Sequence, residues 1–370
     1  IYDVKVLGEL SLIKLTISNF KGIKRGEINL PQVSILIGPN NSGKTTILEA
    51  LSLFPNPFRR APYVIPTVHG EKIATSLEVL LWLHGGLRLH GSIALSLFHK
   101  YSEKMATLTI KLGKTENTIN IHNGVKSILF CEPPTDKGEV YVYGCINKHT
   151  AEISRGLAEI ERGLFPNVTK WIPKLPKEEY PKVLYFHPEL RRYAWEYMAT
   201  NWSEFIGLTS EVSKTLDKLL PEGVLTITLE PFLGRQLMLY LLNKSGGRIR
   251  VADLGDGFQI ILTIALLYER EKPNILLIDD IESHMNPKAL IFLTNWLLRK
   301  LSENDMILVV TTHSLEAATL LAQALEEKMP RLLLVSLREG YLKYKEFTLD
   351  EIEELGRAGI DPRQAEALII

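Results

Sequence analysis

The chain has 370 residues, enough for two or three domains or for one enlarged α/β domain carrying insertions. With 45% hydrophobic and 23% charged residues it can bury a substantial core, which excludes wholesale disorder. Its 43 basic and 43 acidic side chains cancel, so an anionic partner must be met by a local patch and not by a global field. The two cysteines, Cys131 and Cys145, have no CxxC spacing, which argues against a zinc site or a disulfide scaffold. No apolar run reaches the length of a membrane span and no leader pattern opens the chain, so a cytoplasmic setting without a membrane partner is expected.

In chain order, residues 11–23, SLIKLTISNFKGI, read as an alternating strand followed by Asn-Phe-Lys. Residues 34–37 are a short apolar strand, and residues 38–45 match G-x-x-x-x-G-K-[ST] ahead of a helix predicted over 46–53 and stopped by Pro55 and Pro57. Strand, loop and helix together predict a phosphate cradle. Its glycines let backbone amides face the phosphates, Lys44 bridges the outer ones, and Thr45 offers a hydroxyl to Mg²⁺.

Beyond the helix, runs such as ATLTIKL and TINIHN, with a turn at Asn123-Gly124, predict a hairpin-rich lobe over 92–130. Residues 150–181 mix a helical run with four prolines, residues 189–220 read as helical, and 224–229 and 237–242 read as strands. The stretch DLGDGFQ puts Gly255 and Gly257 just before an apolar helix predicted over 258–270, a second anion-binding helix start. A strand over 275–278 then runs into Asp279 and Asp280, with Glu282 one residue beyond. A phosphate loop needs such a strand, whose terminal acid, here Asp279, holds the magnesium shell.

A further strand, ILVVTTHS, ends in His313, at the strand end where parallel sheets bind ligands. A helix over 315–328, strands over 332–337 and 341–347, and an acidic segment at 350–354 follow. No heptad run long enough for a coiled coil is present.

Taken in order, SNFKGI, GPNNSGKTT, LGDGFQ, LLIDDIESHMNP and VVTTHS resemble the ATP-binding-cassette (ABC) type of ATPase. Within that type they look most like the soluble branch of chromosome-maintenance heads, recombination-mediator ATPases and the ATPase part of the overcoming-lysogenization-defect (OLD) nucleases. The Asn-Phe-Lys stretch favours this branch over transporter subunits. The likeness covers roughly residues 10–55 and 250–347 and little of 56–245.

The resemblance implies an α/β fold: a P-loop ABC-type head with an N-terminal antiparallel β-lobe, a mixed central sheet flanked by helices, and an inserted β/helical lobe. The expected division is 1–55 for the β-lobe and Walker A loop, 56–245 for the insertion with part of the head, and 246–370 for the remaining half. Gly38, Pro39, Asn40, Asn41, Ser42, Gly43, Lys44, Thr45 and Thr46 would form the Walker A loop, and residues 275–279 the Walker B strand. Residues 254–258, with Gly255 and Gly257, would be the signature that reaches the γ-phosphate of an opposite subunit. Glu282 and His284 would lie in the D-loop, and His313 would be the switch histidine.

Thr45 and Asp279 would then hold magnesium, and Asp280 would be the catalytic base, with Glu282 the second candidate. Homodimerisation on ATP is implied, with DNA as a candidate partner. The OLD nucleases carry a nuclease domain after the ATPase, so any nuclease here is expected on a separate subunit.

Three departures from the family pattern qualify the activity. Asp280 stands where Glu is usual, one methylene shorter, so its carboxylate sits about 1.5 Å further back and slow turnover is expected. Gly255 replaces the signature serine. No glutamine lies between Gln32 and Gln236, so the family's glutamine ligand has no counterpart, and neither His69 nor His84 is assigned to that role.

Two other readings are a transporter's ATP-binding subunit and a nuclease or its ATP-regulated partner. A GTPase is opposed by Asn147-Lys148 and Asn243-Lys244, which lack the Asp two residues later that reads guanine. The basic clusters at Arg59-Arg60, at Lys170, Lys174 and Lys177, at Arg191-Arg192, and at Arg248 and Arg250 read by default as solvated surface. Near the third, Tyr193, Trp195 and Tyr197 could stack on bases, but packing a helix is the simpler expectation.

Overall fold

The computed structural model describes residues 12–67, 70–85, 91–148, 153–155, 170–173, 181–234 and 236–364. Strand β1 (Leu12–Phe20) turns into β2 (Ile23–Pro31), antiparallel from Leu12 opposite Pro31 to Phe20 opposite Ile23. In β1, Ile13, Leu15 and Ile17 are buried while Leu12 and Lys14 are exposed, the period-two signature of a sheet with one covered face. β3 (Val33–Ile37) is buried throughout and feeds the glycine loop and α1 (Lys44–Ser52).

The insertion begins with a hairpin, β4 (Arg60–Thr67) and β5 (Gly70–Thr75), and the helix α2 (Ser76–Gly85). The lobe expected over 92–130 opens with a 3-10 helix, Gly91–Leu97, and becomes strand only at β6 (Met105–Leu112), β7 (Thr115–Asn123) and β8 (Ser127–Cys131). The Asn123-Gly124 turn joins β7 to β8, the Gly124 amide donating to the Ser127 carbonyl at 3.0 Å. β9 (Glu139–Asn147), β10 (Ile153–Arg155) and β11 (Lys170–Pro173) continue the lobe. The helical run expected within 150–181 falls outside the described residues.

β12 (Val183–Phe186) follows. Residues 189–220, expected as one helical stretch, divide into α3 (Arg191–Thr200), α4 (Trp202–Phe205) and α5 (Thr209–Leu216). β13 (Thr226–Phe232), β14 (Gln236–Leu242) and β15 (Arg248–Arg250) make a separate antiparallel sheet.

The remainder alternates helix and strand: α6 (Asp256–Glu271), β16 (Ile275–Ile278), α7 (Pro287–Glu303), β17 (Ile307–Thr311), α8 (Leu315–Ala324) and β18 (Arg331–Arg338). α8 is shorter than the helix expected over 315–328: it ends at Ala324 with the non-helical Leu325 as its cap, and a 3-10 turn at Glu326–Lys328 follows. β19 (Tyr341–Phe347) leads into α9 (Leu349–Arg357), where the acidic segment lies, started by a capping box between Thr348 and Glu351.

One large sheet runs β10-β9-β8-β7-β6-β1-β2-β19-β18-β3-β17-β16-β12. From β10 to β2 it is an antiparallel wing, and from β18 to β12 it is parallel. Every residue of β3, β12, β16 and β17 is buried, so both faces of the parallel half are covered. Each Leu or Ile fully buried there contributes about 1.5–3 kcal/mol. Polar groups can therefore gather only at the strand ends, and the carboxyl ends of these four strands open together on one edge.

Candidate active site at the strand ends

The loop after β3 is shaped by two glycines. Gly38 has φ +148°, and a Cβ there would run into the Val335 carbonyl oxygen; Gly43, at the α1 N-cap, has φ +96°. Lys44, buried at the first position of α1, folds back on the loop, its ammonium donating to the Gly38 and Pro39 carbonyls at 2.9 Å each and lying 3.4 Å from Ser42 Oγ. Burial lowers the Lys44 pKa to about 8, against the pull of Asp280, Asp279 and Glu282. A phosphate arriving here would replace two carbonyls with charged oxygens, a stronger partner for the ammonium.

Asp279 lies just past β16 and is buried. Its Oδ1 accepts from Thr45 Oγ1 at 3.2 Å and from Thr311 Oγ1, and its Oδ2 accepts from Tyr185 Oη at 3.1 Å. Burial raises its pKa above the usual carboxylate range, opposed by the Thr311 hydrogen bond and by His187. A buried carboxylate that is costly to ionise, beside a threonine hydroxyl, is a donor set suited to a hard cation, so Thr45 and Asp279 fit magnesium.

Asp280 turns the chain away with φ +50°, its amide donating to Thr311 Oγ1 at 2.8 Å. Its Oδ1 lies 3.2 Å from His313 Nε2. Glu282 instead serves the backbone: its Oε1 accepts from the amides of His313 at 2.7 Å and Ser314 at 3.1 Å. Lys44, Thr45, Asp279, Asp280, Glu282 and His313, from three separate motifs, thus meet at one edge.

The signature stretch behaves differently. Gly255 is the N-cap of α6, and a Cβ there would meet nothing within 4 Å. Gly257, expected where a side chain would obstruct a partner's γ-phosphate, faces its own chain, a Cβ there lying 3.1 Å from Ala289 Cβ. Asp256 between them binds Arg191 Nη1 at 2.9 Å and lies 3.7 Å from His284 Nδ1.

Among the described residues, four of the basic side chains named above are engaged within the chain, Arg191 with Asp256 among them. Arg59 donates to the Phe54 and Ser52 carbonyls, Arg248 pairs with Glu230, and Arg250 with Asp253. Lys174 and Lys177 lie outside the described residues. Tyr193 packs against Trp82, Trp195 Nε1 donates to Thr263 Oγ1 at 2.8 Å, and Tyr197 is buried, which agrees with the helix-packing expectation.

Several neighbours of the site escaped sequence reasoning. Tyr185 and His187 come from β12 and its end, brought beside Asp279 by parallel pairing of Phe186 with Ile278. The stretch VLYFHP, apolar residues running into His-Pro, carries the same pattern as the other two strand ends and could have marked them. Lys21 of Asn-Phe-Lys pairs with Glu49, which is buried on α1 and also bound by His84. His69 lies outside the described residues.

A glycine loop on a buried parallel strand, a histidine-tipped strand beside it and an acid-tipped strand beyond that define a P-loop ATPase head of the ABC type. The chain belongs to the family described as "AAA domain, putative AbiEii toxin, Type IV TA system", whose pattern matches residues 33–318. It is 39% identical over 72 residues to the DNA double-strand break repair Rad50 ATPase of Methanopyrus kandleri, a match covering 19% of this chain and 8% of that protein. It is 35% identical over 88 residues to the uncharacterized protein MJECL11 of Methanocaldococcus jannaschii, covering 24% of this chain and 77% of the relative.

Among solved structures it is similar to an SmcHead bound to the C-winged helix domain of ScpA, at 14% identity and TM-score 0.49, covering 92% of this chain and 99% of that one. A second is the SMC head domain from Thermotoga maritima, at 14% identity and TM-score 0.44, covering 91% and 99%. Among the described residues no helix is long and apolar enough to cross a membrane.

Proposed function

We propose that the chain is a Mg-dependent ATPase with slow turnover that pairs with a second copy on ATP and acts as a clamp or switch on DNA, in repair or in defence against foreign DNA. The reading is carried by one observation: Lys44, Thr45, Asp279, Asp280 and His313 converge at the carboxyl ends of β3, β16 and β17. Lys44 and the α1 amides hold the outer phosphates, while Thr45 and Asp279 would hold magnesium, which would supply charge to offset that of the phosphates. Water attacks the γ-phosphorus, its proton passes to Asp280, and the bond to the ADP oxygen breaks. His313 Nε2 lies 3.2 Å from Asp280 Oδ1, which is buried without a hydrogen bond, so a small turn of the ring brings its N–H to orient that carboxylate.

Pairing is supported by the open α6 start at Gly255, whose amides and dipole are available to a phosphate from outside the chain. The DNA role draws on the short Rad50 match and is the outermost layer of the proposal. Phosphate release with magnesium and ATP is the direct test. A wild-type protein that hydrolyses no ATP and holds no nucleotide would end the reading.

A further inference from the structure

We infer that Arg363 is a positioning residue for ATP hydrolysis, fixing the peptide of His313 so that its imidazole meets Asp280. The inference rests on the reading of Asp280 and His313 above. Arg363 lies past α9, in a turn locked by Asp361, whose Oδ1 accepts from the Arg363 amide at 2.9 Å and its Nε at 3.0 Å while Oδ2 accepts from Nη2 at 2.7 Å. That fork leaves Nη1 free to point elsewhere, and it donates to the His313 carbonyl oxygen at 2.5 Å. On the other side, Glu282 Oε1 accepts from the His313 and Ser314 amides at 2.7 and 3.1 Å.

The His313 backbone is therefore gripped by two charged side chains from distant parts of the chain. One holds its N–H and the other its C=O, and charge-assisted hydrogen bonds are the strong kind. With both peptide groups fixed, the ring keeps only its side-chain torsions, and its Nε2 stands 3.2 Å from Asp280 Oδ1. A one-ångström displacement of such a group is enough to cost rate. Arg363 is a quarter exposed and, among the described residues, is hydrogen-bonded to Asp361 and this carbonyl, with Glu316 and Glu282 near enough to attract its charge, so its replacement leaves the core intact.

The test compares Arg363→Ala, Arg363→Lys, His313→Ala and the double alanine variant by steady-state hydrolysis, ATP affinity, and NMR of the His313 ring without nucleotide. Arg363→Ala is expected to lower kcat by about tenfold with KM within about twofold, and Arg363→Lys or added guanidinium to restore part of the loss. The ring resonances of His313 shift in Arg363→Ala, and the double variant loses no more than His313→Ala alone, since both changes act through one group. Wild-type turnover of Arg363→Ala beside an inactive His313→Ala would overturn the inference and leave the site reading intact. Additive losses in the double variant would overturn it as well. Normal turnover of His313→Ala would remove the site reading itself, and the inference with it.

Discussion

In the parallel half of the large sheet β3, β12, β16 and β17 are buried along their whole length, whereas in the antiparallel wing β1 and β6 alternate covered side chains with ones open to solvent. The parallel strands have no free face, so their only place for polar chemistry is the end, and Asp279, Thr311 and His187 sit there. The wing has a long open face, where Thr107, Thr109 and Thr118 bond to neighbours across the strands. Substitutions at strand ends should therefore change rate or binding, and substitutions on the wing face should change stability slightly and rate not at all.

The largest effect is expected at Lys44, where Lys44→Ala removes a buried charge from the phosphate loop. Hydrolysis should vanish and ATP binding weaken roughly 10- to 100-fold, as isothermal titration would read. Normal turnover by that variant would break the assignment of the strand ends as the site. Asp280→Asn comes next, slowing single-turnover cleavage by about 10²- to 10⁴-fold while ATP stays bound. Glu282→Gln sharpens the point: it weakens the grip on the His313 amides and should slow cleavage less. If only the Glu282 change stops cleavage while ATP still binds, Asp280 is not the base. Gly255→Glu should bind ATP yet run as a monomer on sizing, because it puts an anion at the open start of α6. A Gly255→Glu dimer with ATP would show that pairing does not use this surface.

The motifs that could be read from sequence are those written in one contiguous stretch. Gly38 to Lys44, Asp279 with Asp280, and His313 each follow a buried strand, so local pattern sufficed to find them. What could not be read depends on which strand lies beside which. β12 reaches β16 across more than eighty residues of intervening chain, and only that pairing puts Tyr185 on Asp279. Lys21 meeting Glu49 and Arg363 meeting His313 are likewise products of chain return, with no spacing rule to announce them.

The smallest effect belongs to the wing. Thr109 and Thr118 are directly opposed on β6 and β7, and their hydroxyls are 2.9 Å apart. Such a cross-strand pair contributes roughly 0.2–1 kcal/mol, so Thr118→Val should lower the denaturation midpoint slightly by removing the bond while keeping a β-branched side chain suited to the strand. Because neither threonine is bonded to a residue of the crevice, ATP turnover per folded molecule should equal that of the parent. Chemical denaturation followed by phosphate release on the same sample measures both. A Thr118→Val protein with unchanged stability but altered turnover would show that the wing communicates with the strand ends, and the division between a catalytic half and a supporting half would have to be given up.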